Sequence, residues 1–158
     1  NPGFPSLQDD AWLWGGSLDA INETLHVGIR WDANEDTRLN DMPAFGRDGL
    51  LEREDISDVV QFVMGYSNRA TDGDAAQRGA IVFEENCAAC HGDNGKGIQE
   101  LGAPNLTDAI WLYGGDQATL TDTVTNSRRG VMPAWGDRLD EETIKMLTVY
   151  VHSLGGGQ

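Results

Sequence analysis

The sequence predicts an all-α fold, and three observations carry that prediction. Apolar residues recur at helical rather than alternating spacing, the segments that carry them open on acidic residues, and long loops separate them. The last segment is the clearest. From about Asp140 it sets Ile144, Leu147, Val151 and Leu154 on one face, has Glu141 and Glu142 in its first turn, and stops at the glycines 155–157. Residues 74–85 carry Ala76, Ala80 and Phe83 at helical spacing, and residues 116–126 form a second short helix. Ile56, Val59, Val60 and Val63 copy the pattern of the last helix.

The chain repeats itself. "GFPSLQDDAWLWGGSLDAINETLHVGIR" is followed by "MPAFG" and a helical run, and "GAPNLTDAIWLYGGDQATLTDTVTNSRR" is followed by "MPAWG" and another. Trp12 matches Trp111, Trp14 matches Tyr113, Arg30 matches Arg129, and Met42-Pro43 match Met132-Pro133 after an insertion in the first copy. Agreement of order and chemistry over that length marks a tandem duplication. The copies divide into residues 1–67, the C-terminal part of a first domain, a linker at 68–73, and a complete second domain at 74–155. The first copy has no counterpart of the opening helix or of the segment around "CAACH".

Composition narrows the function. The chain has 158 residues, 26 acidic against 11 basic, for a formal charge of −15. Such a surface repels nucleic acid and anionic lipid and favours a basic protein partner. No apolar run approaches the roughly 20 residues that span a bilayer, and "NPGFPSLQDD" does not read as a signal peptide.

The only two cysteines, Cys87 and Cys90, stand in "CAACH" with His91 next. Zinc would need a second Cys/His cluster, and His26 and His152 stand alone in the sequence. A thioredoxin-like pair would need a βαβ pattern, and a disulfide between residues so close would constrain almost nothing. Covalent attachment of a c-type haem fits best. Cys87 and Cys90 would form thioethers to the porphyrin, and His91 would bind iron from below, its second nitrogen donating to a carbonyl.

The sixth ligand expected for that haem is Met132, because the proline after it holds the loop extended and its Met-Pro-Ala-aromatic-Gly context is duplicated. Met42 has the same context and would ligate a second haem whose "CxxCH" is not in this sequence. Met64 and Met146 lie on helices without that context and read as packing residues. His26 reads as a helix-end or surface residue, and His152 as a helix-dipole residue. Trp111, Tyr113 and Arg129 are candidates to hold the haem propionates, whose charge is costly to bury unpaired.

With these motifs placed, "WLWGG…GIR…MPAFG" followed by "RGAIVFEENCAACHGDNGKG…GAPNLTD…WLYGG…MPAWG" resembles the CcoP (FixP) subunits of cbb3-type haem–copper oxidases over essentially the whole chain. The resemblance implies two tandem class I cytochrome c-type domains, the first lacking its N-terminal helix and "CxxCH" segment. It implies one covalent haem c here and a second in the parent protein. The implied function is one-electron transfer from a small, basic cytochrome c towards the oxygen-reducing centre, as a non-catalytic subunit. The implied partners are a mono-haem cytochrome c subunit and the haem–copper subunit. The implied location is the periplasmic side of the bacterial inner membrane, through an anchor not in this sequence. A free periplasmic shuttle, a haem domain of a dehydrogenase or nitric oxide reductase, and a thiol or zinc protein are the rival readings.

Overall fold

The structure, a computed structural model, describes residues 3–69 and 71–155; two of the three glycines expected to end the last helix, 156 and 157, lie outside them, as does linker residue Ala70. The described residues are helical, with no strand and only isolated bridges from Ile29 to Arg38 and to Met132. In chain order the helices are α1 (Leu18–Val27), α2 (Arg53–Tyr66), α3 (Gly73–Asn86), the short α4 (Ala88–His91), α5 (Gln117–Asn126) and α6 (Glu141–Ser153), with one 3-10 turn at Gln99–Leu101. No described helix is long and apolar enough to cross a membrane.

Side-chain caps fix the helix starts. Ser17 Oγ accepts from Ala20 N–H before α1, Asp72 from Asp74 and Ala75 before α3, Asp116 from Thr119 before α5, and Asp140 from Thr143 before α6. Each satisfies amide protons that have no partner inside their own helix.

The chain divides into two compact units, and neither is a sequence repeat. Unit 1 comprises residues 1–3, Asp41–Ile98 and Pro104–Arg129; unit 2 comprises Phe4–Asn40, Gln99–Ala103 and Gly130–Gln158. These divisions differ from the sequence boundaries of 1–67 and 74–155. Unit 1 therefore joins α2 of the first repeat to α3, α4 and α5 of the second, and unit 2 joins α1 of the first to α6 of the second.

In unit 1, Val59, Val60 and Val63 of α2 form one buried cluster with Phe83 of α3, Ala88 of α4 and Leu120 of α5. The two longest helices cross closely because α3 offers a glycine there: a Cβ on Gly79 would stand 2.0 Å from the carbonyl oxygen of Asp58. The face of α3 turned to this core carries Ala75, Gly79 and Phe83, so the sequence register through Ala76 and Ala80 was one residue off at its first two positions. Asp58 is buried beside the crossing and accepts from Nε and Nη2 of Arg78, at 2.6 and 2.8 Å.

In unit 2, α1 packs on α6, with Ile21 and Ile144 buried and Asn22 Nδ2 donating to Thr148 Oγ1 at 3.2 Å. His26, at the end of α1, meets Glu141 at 3.3 Å, as a helix-end histidine should. Met64 packs against the unit 1 cluster as expected, whereas Met146 is 64% exposed and is not a packing residue within its unit. It occupies the position on α6 that Asp58 holds on α2, the one covered by α3.

Candidate haem-attachment site

Cys87 ends α3 and starts α4, so "CAACH" is a single helical turn in which Cys90 and His91 donate backbone hydrogen bonds to the Cys87 carbonyl, at 3.1 and 2.9 Å. Gly92, at φ 74°, ends the turn, and the chain folds back so that Gly97 N–H reaches the His91 carbonyl at 2.7 Å. Tyr66 from the end of α2 closes the loop, its hydroxyl donating to Asp93 O at 3.2 Å.

The imidazole of His91 is oriented by Pro104, whose carbonyl oxygen lies 3.1 Å from Nδ1. A carbonyl only accepts, so Nδ1 carries the proton and Nε2 keeps its lone pair for a metal. Burial pushes the His91 pKa down, outweighing the carbonyl bond that pushes it up, so the neutral ligand form prevails. Burial, and then the neighbouring Cys90, push Cys87 up to about 11. Reactive redox thiols have lowered values instead, and the two sulfurs are not bonded to each other. Among the described residues no three His, Cys, Asp or Glu side chains group to hold a metal ion. A thiol-redox or zinc site therefore finds no support in the geometry.

The two "MPA" loops are exchanged between repeats. Phe45 and Gly46 of the first repeat donate to the carbonyls of Val124 and Thr125 at the end of α5, at 3.1 and 3.2 Å. Trp135 and Gly136 of the second donate to Leu25 and His26 at the end of α1, at 2.9 and 3.2 Å. Met42 accordingly shares unit 1 with Cys87, Cys90 and His91, its carbonyl held by Ser127 Oγ at 2.8 Å, while Met132 belongs to unit 2. The sequence paired Met132 with His91; Met42 shares a unit with His91, and Met132 lies in the other.

Of the three propionate candidates, Arg129 is tied to Asp41. Tyr113 lies under Arg128, which itself pairs with Asp122. Trp111 packs against the same buried cluster as Cys87, and its Nε1–H is buried with no partner. A buried donor without an acceptor fits a carboxylate-bearing group such as haem. Sequence reasoning passed over Pro104, visible only as one proline among five, and Arg69, which carried no periodic or motif signal.

A helical protein with a C-x-x-C-H turn, an oriented imidazole and methionine-bearing loops belongs to the c-type cytochrome class. Residues 74–151 match the family described as cytochrome c oxidase, cbb3-type, subunit III. Along its length it is 52% identical over 158 residues to a cbb3-type cytochrome c oxidase subunit CcoP of Cereibacter sphaeroides, covering 100% of this chain and 54% of the relative. It is 57% identical over 157 residues to a subunit FixP of Bradyrhizobium sp. strain ORS 278, covering 99% and 54%. It is 53% identical over 163 residues to a subunit CcoP of Azospirillum brasilense, covering 99% and 55%. The chain thus spans about half the length of these relatives.

Proposed function

We propose that this chain is the electron-carrying part of a cbb3-type oxidase subunit, with one haem c tethered in unit 1 by Cys87 and Cys90. A haem so held supplies one-electron ferrous–ferric chemistry. The observation that carries the reading is the "CAACH" turn with His91 locked by Pro104. His91 would bind iron through Nε2, its ring fixed by the Pro104 carbonyl, so little reorganises between oxidation states. Met42 would be the second protein ligand, because its loop is bonded to the end of α5 within the same unit. A haem held by His and Met would supply electron transfer rather than oxygen chemistry.

Met132, on the equivalent loop of unit 2, would serve a second haem anchored by a segment of the parent protein that also supplies the missing opening helix and "CxxCH". That assignment makes the architecture two cytochrome c-type domains built from interleaved repeats. The parent would sit on the periplasmic side of the inner membrane and pass electrons from a basic cytochrome c to a mono-haem subunit and on to the haem–copper subunit. The relatives' description as cbb3-type cytochrome c oxidase subunits supports a place in such an oxidase.

Ligand exchange tests the site. In the haem-loaded parent protein, Met42→His should keep the haem of Cys87 and Cys90 attached, remove its sulfur-to-iron absorption band and lower its potential. Met132→His should leave that haem's spectrum unchanged. The opposite pattern would return Met132 to His91, and a parent protein without covalent haem would sink the functional reading.

A further inference from the structure

The cations of unit 1 are mostly committed. Arg47 meets Asp48, Arg78 meets Asp58, Arg128 meets Asp122 and Arg129 meets Asp41, while Arg53 and Lys96 stand exposed. Arg69 is different. It lies in the connection between α2 and α3, where Asn68 at φ 54° turns the chain and Arg69 N–H donates to Met64 O at 3.2 Å. Its guanidinium centre is 5.2 Å from the Trp111 ring centroid. It fills the space above Gly115, where a Cβ would come within 2.2 Å of Nη1 and 2.5 Å of Nη2.

No ion pair joins Arg69 to a carboxylate among the described residues, although the chain has 26 acidic side chains. The indole beneath it has a buried Nε1–H with no acceptor. Two donors, one of them charged, are therefore stacked together and unmet. The indole packs against the same buried cluster as Cys87. An anionic group that arrives with the Cys87 adduct would satisfy both.

We propose that Arg69 and Trp111 form the seat of one propionate of the haem held at Cys87 and Cys90, with Arg69 as its counter-charge; this rests on the haem reading above. Gly115 is the residue that makes room for the guanidinium. An uncompensated carboxylate near the iron favours the ferric state, so Arg69 raises the potential. It also keeps the propionate ionised, which holds the potential flat across neutral pH. Without it, burial raises the propionate pKa, and the potential climbs as pH falls through the new value.

The test is a redox titration of the haem-loaded parent protein between about pH 6 and 9, spanning the neutral range in which a raised propionate pKa would show. Arg69→Gln should keep the haem attached and shift the ferrous–ferric equilibrium about tenfold towards ferric, close to 59 mV for one electron, with a new pH slope. Arg69→Lys should recover most of the shift. Gly115→Ala, which displaces the guanidinium without removing it, should reproduce part of it, and Trp111→Phe should shift it in the same direction. An unmoved potential and slope in Arg69→Gln overturns the proposal; should that variant not fold, an unmoved potential in both Gly115→Ala and Trp111→Phe does so. A wild-type protein lacking covalent haem would instead fail the functional reading, which the haem count reports separately.

Discussion

Asp140 is a residue whose role can be followed from letter to titration. Its carboxylate accepts from Thr143 N–H at 2.9 Å and from the Thr143 hydroxyl at 3.0 Å, and these bonds hold its pKa below the usual carboxylate value. A pKa lowered by folding contributes stability above the unfolded value, about 3.9, and that contribution is lost as pH falls through the folded value. Asp140→Ala should therefore lower the thermal midpoint by a few degrees at pH 7, and the gap to the parent should narrow below about pH 4, where the unfolded carboxylate protonates. A gap constant down to pH 2 would show that the carboxylate charge is not what caps α6. The capping acids and "CAACH" were legible because each works through neighbours in sequence. Arg69, Pro104 and the unmet Trp111 indole were not, because their partners lie far along the chain and no spacing announces them.

At the scale of elements, helix existence was legible and helix partnership was not. The apolar face of the segment after Ile56 demands a cover, yet nothing in that face says which helix supplies it. The short connection between α2 and α3 decides it, since helices joined by so few residues pack as neighbours. Gly79 then sets the approach, with Asp58 O, Asp58 C and Val59 N standing 2.0, 2.4 and 2.8 Å from where a Cβ would lie. This explains the register error as well: the pattern points to alanines, while the close crossing needs the position with no side chain. Gly79→Ala must push α2 and α3 apart, against backbone rather than a flexible side chain. A cost of about 1–3 kcal/mol is expected, read as a lower denaturation midpoint with an unchanged slope. Full stability in that variant would mean that α2 and α3 do not cross at Gly79.

For the whole molecule, the duplication was legible in the sequence and the grouping of its helices into two compact units was not, because each "MPA" loop fits the end of α1 or α5 equally well by local pattern. The acid is spread over both repeats, so a basic donor should be drawn by long-range attraction, which salt screens over about 10 Å at 0.1 M. Reduction by a basic cytochrome c should slow several-fold between about 20 and 200 mM salt, chiefly in the bimolecular rate; a rate indifferent to salt would make the charge a solubility feature only. The exchange of repeats has a sharper consequence. Residues 41–129 contain, in one continuous stretch, all of unit 1 except the residues at the chain's start. The sequence-defined domain, 74–155, lacks α2 and with it Val59, Val60 and Val63 of the buried cluster, as well as Met42. Removing those leaves Phe83 and Leu120 facing solvent, a loss that a unit of this size cannot absorb. Expressed with haem attached, 41–129 should melt cooperatively and keep the sulfur-to-iron band. The 74–155 fragment should bind haem without that band and unfold gradually. A cooperative 74–155 with an intact His/Met spectrum, beside a 41–129 that does not fold, would show that each repeat closes on itself after all.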